Sequence, residues 1–243
     1  MDLVNLYNQG LNCREIAPIL GISRHTVANR LKRAGVDILP GNKYRFNERY
    51  FQYIDTEEKA YWLGMLAADG NIHKSSRRGT YKITLSLKEE KPDHLRKFLN
   101  DIGSNKPVQT RKDQFRATAS SKYFECDLIP KGIVECKSLI LMPPVGVPDN
   151  LISHWIRGYF DGDGSVYFSK DGKIKVTFAG THEICEFINS QVNNCGNIHK
   201  NKNIFMLRFQ SKNSTKIIED YLYYNATIFL ERKYLKFRQR SKY

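Results

Sequence analysis

Two aspartates hold the most chemically suggestive positions in this sequence. Asp69 closes the run Trp62-Leu63-Gly64-Met65-Leu66-Ala67-Ala68-Asp69-Gly70, and Asp163 closes Ile156-Arg157-Gly158-Tyr159-Phe160-Asp161-Gly162-Asp163-Gly164. Each run has helical character, a Gly near its middle, a small residue before the Asp and a Gly after it. A carboxylate at a helix C-terminus meets the negative end of the macrodipole, which is unfavourable by roughly 0.3–1 kcal/mol. Two of them brought together repel each other as well. A bound divalent cation removes that penalty. Oxygen ligands from Asp69 and Asp163, joined by backbone carbonyls freed at the helix ends, suit Mg²⁺. A lone Asp-Gly after an apolar run is in most cases a turn; duplication on a basic chain reverses that balance.

The elements that must position these carboxylates are the two runs themselves. Gly64 and Ala68 are four residues apart, as are Gly158 and Gly162, so each helix has a stripe without bulky side chains. Small residues at that spacing let two helices pack closely, with the stripes as the interface. The duplication extends well beyond the motif. Asp69 and Asp163 are 94 positions apart; the Gly after the next helix follows at 34 residues in the first half (Gly103) and 33 in the second (Gly196). A Lys follows each Asp at 68 and 70 residues, at Lys137 and Lys233. The halves, 56–146 and 147–243, share the order α-β-β-α-β-β-α.

Within the first half, Asp55 is expected to begin the motif helix, with Glu57 and Glu58 in its first turn. Lys82 to Lys88 alternates as a half-buried strand. Pro92 to Ile102 reads as a helix, Gln109 to Ala119 as a hairpin turning at Lys112-Asp113, and 121–130 as a second helix. A Pro-rich connection runs from Pro143 to Pro148. In the second half, Asp149 or Asn150 is expected to cap the motif helix. Strand-like alternation follows at 166–168 and 173–178, then a helix at 182–194, a strand at 204–210 and a helix at 214–224. A basic tail starts at Leu230.

Ahead of the repeats, residues 1–36 read as a three-helix unit. Gly10 ends the first helix, Asn12 and Glu15 form a capping box for the second, and Ser23 caps the third. Val27 and Leu31 face inward, while Arg24, His25, Asn29, Arg30 and Arg33 lie on the other side. The stretch from Arg14 to Val27 resembles the helix-turn-helix of recombinases and many repressors, which would place the third helix in a major groove and present Arg24, His25 and Asn29 to base edges. The alternative is a small helical cap with an ordinary charged face. Residues 37–55 break the pattern with Pro40-Gly41-Asn42, and Lys43, Arg45 and Arg49 alternate with Tyr44, Phe46 and Tyr50. This is a basic linker that tracks a phosphate backbone, or a loop that packs its aromatics on the next domain, or both.

Composition agrees with a polyanion as partner. The 243 residues carry 39 Lys+Arg against 25 Asp+Glu, a net charge of +14. Such an excess suits nucleic acid, a solvated basic surface or anionic lipid. No apolar run reaches the roughly 20 residues of a membrane span, and no signal-peptide pattern opens the chain, so membrane readings are weak. The five cysteines are scattered without zinc spacing and read as small buried residues or free thiols in a reducing compartment.

The residues from about 56 onward resemble the LAGLIDADG homing endonucleases of the monomeric, two-repeat kind, with Gly158-Tyr159-Phe160-Asp161-Gly162-Asp163-Gly164 as the most specific match. The first copy has Ala67 where the family pattern often has its first Asp, a position largely structural in the family. The resemblance implies an α+β fold: two pseudo-symmetric αββαββα repeats forming saddle-shaped antiparallel sheets on duplex DNA, preceded here by the all-α helix-turn-helix unit. It implies that Asp69 and Asp163, with the carbonyls of Ala68 and Gly162, hold Mg²⁺ or Mn²⁺. It also implies that one phosphodiester in each strand is hydrolysed across the minor groove, leaving 3′ overhangs. Lys137 and Lys233 match the family's basic residue near the scissile phosphate. Either could instead contact a phosphate or solvent, and Arg232 competes with Lys233; Glu89 and Gly180, at strand ends, compel no role. Sequence readout would fall to Lys82, Thr84, Ser86, Lys88, Arg111, Gln114 and Arg116 in the first repeat, and Ser165, Tyr167, Lys173, Lys175, Thr177, Arg208 and Gln210 in the second, while Lys43 and Arg45 on the linker would meet phosphate. The expected partner is double-stranded DNA with a long, asymmetric target, bound in the cytoplasm by a bacterial or phage-encoded monomer that needs no protein partner. A non-cleaving transcriptional regulator and an intron RNA maturase are the alternatives.

Overall fold

The two motif helices stand side by side at the centre of the molecule: α4 spans Glu57–Ala68 and α7 spans Ile152–Asp163 in a computed structural model. It describes all residues except 1, 9–10, 37, 39–43, 76–78, 90 and 240–243. Gly10, the turn Pro40-Gly41-Asn42 and Lys43 therefore lie outside the described residues. Ala60 to Ala67 of α4 and Trp155 to Asp161 of α7 are buried without a break, so the middle of each helix is enclosed on every side.

Each helix runs directly into a sheet. In the first repeat β1 (Gly70–Lys74), β2 (Tyr81–Leu87), β3 (Gln109–Arg111) and β4 (Gln114–Ser121) pair in the order β1-β2-β4-β3. In the second, β5 (Gly164–Phe168), β6 (Ile174–Gly180), β7 (Asn197–Asn201) and β8 (Ile204–Phe209) pair as β5-β6-β8-β7. All pairings are antiparallel. Helix α5 (Asp93–Asp101) and the short α6 (Phe124–Asp127) belong to the first repeat; α8 (His182–Gln191), α9 (Lys212–Tyr223) and α10 (Glu231–Arg238) belong to the second. The alternation expected for β2 holds: Tyr81, Ile83, Leu85 and Leu87 are buried and the residues between them half-buried. The odd face joins Trp62, Leu63, Phe98, Trp155, Phe178 and Phe209 in one core spanning both repeats.

The N-terminal unit has its own core. Helices α1 (Leu3–Asn8), α2 (Cys13–Leu20) and α3 (Arg24–Arg33) bury Ile16, Val27 and Leu31 completely. The Asn12/Glu15 capping box is present, and the Ser23 hydroxyl accepts from the Thr26 amide at 3.1 Å.

Several expectations need correction. Thr56, not Asp55, caps α4: its hydroxyl accepts from the Lys59 amide at 3.3 Å, while Asp55 pairs with the Lys59 ammonium at 2.6 Å. Neither Asp149 nor Asn150 caps α7, because Asp149–Leu151 forms a 3₁₀ turn leading straight into it. Helix α8 stops at Gln191; Asn193 and Asn194 turn left-handed, and the Asn189 side chain clasps Gly196 through its amide (2.9 Å) and carbonyl (3.2 Å). Of the two readings of residues 37–55, packing on the next domain is the one seen from Tyr44 onward. Tyr50, Phe51 and Ile54 are buried in the main core, and the Asn47 amide donates to the Ile102 carbonyl at 2.8 Å. No helix among the described residues is long and apolar enough to cross a membrane.

Arg157 locks the halves together. It is fully buried, and its guanidinium donates to the carbonyls of Ile228 (2.7 Å) and Leu222 (2.9 Å) and to the Glu57 carboxylate (2.6 Å). Glu57, from the first repeat, also accepts from the amides of Thr227 (2.8 Å) and Ile228 (3.2 Å). Truncating one member of a buried charged network strands the other, so Arg157→Ala is expected to lower the unfolding free energy by roughly 3–5 kcal/mol. Urea titration checks this, and a loss under about 1 kcal/mol would show the network to be incidental.

Candidate active site

Contact between the motif helices is set by backbone, not side chains. A Cβ built on Gly64 would lie 2.0 Å from the Trp155 carbonyl oxygen, and one on Gly158 would lie 1.9 Å from that of Tyr61. Trp155 and Tyr61 are themselves 94 positions apart, so the seam obeys the twofold relation seen in the sequence. One turn on, a Cβ on Gly162 would meet the Ala68 methyl at 2.3 Å and the Asp69 carboxyl carbon at 3.3 Å. The stripe Gly64/Ala68 against Gly158/Gly162 is thus the interface, and its end sets the backbone before Asp163 against Asp69.

Asp69 and Asp163 emerge together where the helices give way to β1 and β5. Both side chains reach solvent, yet the surrounding protein is dense enough to perturb them. Asp163 is pushed up to about 6, first by desolvation and then by the negative charge of Asp69, with Lys137 and Lys233 pulling it back. Asp69 is also raised, by desolvation against the opposing charges of Lys233, Lys137 and Arg232. Both lysines are buried. Lys137 donates to the Gly70 carbonyl. Lys233 donates to the carbonyls of Phe160 (2.6 Å), Asp161 (2.8 Å), Gly162 (3.2 Å) and Gly164 (2.6 Å). Gly70 and Gly164 are equivalent, so each lysine grips the same point of its own repeat. Desolvation lowers both ammonium groups, that of Lys233 to about 8, and the aspartates partly offset it. Arg232 does not displace Lys233; it pairs with Glu89 at 3.5 Å.

The four residues expected to carry chemistry are therefore in one electrostatic neighbourhood. Its donor set fits a hard divalent cation. Two carboxylates repel each other at the end of the seam, and both offer oxygen donors. No cluster of three or more His, Cys, Asp and Glu that could hold a metal ion occurs among the described residues. The Gly162 carbonyl accepts from Lys233 at 3.2 Å, and a carbonyl oxygen has a second lone pair.

The halves differ beneath the surface. Asp161, at the position of Ala67, is fully buried; it accepts from the Tyr61 hydroxyl at 2.7 Å and the Leu230 amide at 2.6 Å. Leu230 is the residue that leads into α10, so Asp161 fixes the start of the helix that carries Lys233. Lys137 sits instead on a 3₁₀ turn, Lys137–Leu139, entered through a left-handed Cys136. Arg157 lies within the second motif run and Tyr61 immediately precedes the first, but neither was singled out in the sequence. Their partners lie up to 100 positions away, and no local pattern signals them.

The outward sheet faces hold most of the residues expected to read DNA. In the first repeat Thr84 pairs with Thr118 and Ser86 with Arg116, whose Nε donates to the Ser86 hydroxyl at 3.2 Å; Lys82 shares that face, and Arg111 lies opposite Gln114. In the second, Ser165 lies opposite Thr177, Tyr167 opposite Lys175, and Arg208 opposite Thr177. Thr177 is on this side but only 6% exposed. Lys88 and Lys173 sit just outside the strands, paired with Asp113 (2.7 Å) and Asp171 (2.6 Å), and Gln210 lies past the end of β8. The sequence reading missed Asn71 and His73 on β1 and Asn197 and His199 on β7, all exposed and in register with the outward residues. On α3, Arg24, His25, Asn29, Arg30 and Arg33 are all exposed; Arg45 is exposed too, with its guanidinium 4.9 Å from the centre of the Tyr7 ring.

Known proteins match this arrangement in two parts. A family profile described as a homeodomain-like domain matches residues 1–40. An uncharacterized protein of Methanocaldococcus jannaschii is 27% identical over 229 residues, covering 70% of this chain and 82% of that protein. Among solved structures, the I-SmaMI LAGLIDADG homing endonuclease bound to cleaved DNA aligns with a TM-score of 0.53 at 12% identity, over 79% of this chain and 89% of that one. The LAGLIDADG meganuclease I-AabMI bound to uncleaved DNA aligns with a TM-score of 0.52 at 11% identity, over 75% of this chain and 88% of that one. Twin helices in backbone contact, each feeding a four-stranded antiparallel sheet, give this chain the LAGLIDADG homing endonuclease fold, preceded by a homeodomain-like N-terminal unit.

Proposed function

We propose that the protein is a site-specific, divalent-metal-dependent DNA endonuclease of the homing type. It acts as a monomer on a long asymmetric duplex and hydrolyses one phosphodiester in each strand to leave 3′ overhangs. The observation that carries this reading is the pair Asp69 and Asp163, juxtaposed at the ends of two helices in backbone contact, with Lys137 and Lys233 beside them. A chain that served only to bind DNA would gain nothing from two mutually repelling carboxylates at its centre. The fold shared with DNA-bound nucleases and the charge of +14 support the same conclusion.

Asp69, Asp163 and the carbonyls of Ala68 and Gly162 would hold Mg²⁺ or Mn²⁺. Such an ion supplies Lewis acidity, making water a competent nucleophile near neutral pH and balancing charge on the leaving 3′ oxygen. Lys137 and Lys233 sit with their charge against the site before substrate arrives and oppose the charge that builds on the phosphate. Because they are held by carbonyls, little reorganisation is needed. The outward faces of the two sheets supply readout, phosphate contacts set the register, and residues 1–36 form a separate DNA-binding unit.

Incubating the protein with a randomised plasmid library, in Mg²⁺ or in EDTA, tests the proposal. Linear product confined to Mg²⁺, with ends mapping to one sequence, is the expected result. Sequence-specific binding with no strand break in Mg²⁺ or Mn²⁺ would overturn it in favour of a regulator. Because the lysines are mounted differently, Lys233→Met is expected to slow cleavage of one strand at least about 10-fold more than the other. Equal slowing on strand-labelled duplexes would contradict that asymmetry.

A further inference from the structure

We infer that the N-terminal unit reads a flanking DNA segment on one side only, beyond the outer end of the half-site that faces the first sheet. The inference rests on the DNA-binding reading above and adds where the extra contact falls.

The strand register orients the first sheet. Gly70, beside Asp69, pairs with Leu85, so that end of the sheet lies at the candidate site. Lys74 pairs with Tyr81, and Tyr81 with Ser121, so these residues mark the opposite, outer end. The segment leading from the N-terminal unit is fastened there. The Ser121 hydroxyl donates to the Glu48 carboxylate at 2.8 Å, and Arg49 pairs with Asp127 at 3.3 Å. The Arg45 amide donates to the Asn105 side chain at 2.9 Å, and the Asn105 amide returns a bond to the Arg45 carbonyl at 3.3 Å.

Only eight backbone steps separate Val36, just past α3, from Tyr44. Fully extended, they span at most roughly 28 Å. Along B-DNA, at about 3.4 Å per base pair, that reach is roughly eight base pairs. The Arg45–Tyr7 cation–π contact holds α1 near the same anchor. The outer end of the second sheet, at Phe168 and Ile174, lies across the pseudo-twofold seam. The unit therefore flanks the first half-site. On α3 the basic face of Arg24, Asn29 and Arg30 is exposed and plays no part in its own small core, which leaves it open to a major groove.

Selection of bound duplexes from a random library by the full-length protein, in Ca²⁺ to hold off cleavage, tests this. A central block of sequence and a second, shorter block within about one helical turn of one end are expected. The combined variant Arg24→Ala, Asn29→Ala, Arg30→Ala is expected to lose the shorter block while keeping the central one. It should bind the extended duplex about 100-fold more weakly, no tighter than a duplex lacking the flank. Lys82→Ala in the first sheet should relax base preference in the central block on the flank's side, and Tyr167→Ala in the second sheet on the far side. A flanking block on the Tyr167 side, or a central block alone, overturns the inference and leaves the DNA-binding reading intact. Enrichment of no sequence overturns both.

Discussion

Gly64→Ala and Gly158→Ala are each expected to cost about 4 kcal/mol or more, enough to leave most of the protein unfolded or in the insoluble fraction. The new methyl carbon would sit 2.0 Å or 1.9 Å from a carbonyl oxygen of the facing helix, about half a normal contact distance. The atom it meets is backbone in the middle of a buried helix, so no rotamer change relieves the clash. Only separation of the helices does, and that opens a core built from Trp62, Tyr61, Trp155 and Tyr159. Gly162→Ala is a graded control, because its nearest neighbour is the Ala68 methyl at 2.3 Å, close to the end of the seam. It should fold better than the other two and lose activity out of proportion to stability, since the displaced backbone borders Asp69. Chemical denaturation of the three variants checks the order. A Gly64→Ala protein within about 1 kcal/mol of wild type would mean that the helices do not touch as described.

Asp69→Asn and Asp163→Asn are each expected to reduce cleavage by about 1,000-fold or more while leaving DNA affinity in Ca²⁺ intact or improved. The improvement follows from removing negative charge from a surface that must approach phosphates. A stability effect of opposite sign distinguishes this from simple damage. The Asp163 carboxyl lies at about 6 in the fold, against about 3.9 in an unfolded chain. Between those values the folded state binds more protons than the unfolded one, so stability falls as pH rises through the window and stays lower above it. Asp163→Asn lacks that decline. Metal-free at about pH 7.5, the variant should therefore melt higher than wild type, and added Mg²⁺ should raise the melting temperature of wild type more than that of the variant. A variant that melts lower than wild type without metal would show that Asp163 is a stabilising group and not a repelled one.

Local and periodic features were legible in the sequence. Four-residue spacing of Gly64/Ala68 and Gly158/Gly162 identified the seam, because close helix approach leaves its mark on residue size alone. Strict alternation in β2 and the cap chemistry of Asn12 and Ser23 were visible for the same reason. Strands β1 and β7 were not, since edge strands with mostly exposed residues carry little alternation. Nor were the partners of Arg157 and Asp161. A buried Arg within an apolar run is satisfied by carbonyls 65 and 71 positions away, and Asp161 by Tyr61 at a separation of 100. The aromatics around residues 44–54 suggested both phosphate tracking and packing; burial of Tyr50 and Phe51 establishes the packing.

Asp69 and Asp163 are proposed to hold a cation at the seam against bound DNA. Anomalous diffraction from crystals of the protein–DNA complex grown with Mn²⁺ locates such an ion. The expected result is manganese density contacting both carboxylates beside the carbonyls of Ala68 and Gly162, on the face that meets the minor groove, and absent in Asp163→Asn crystals. Duplex bound across the two sheets with both carboxylates free of manganese, or manganese bound at another cluster, would contradict it.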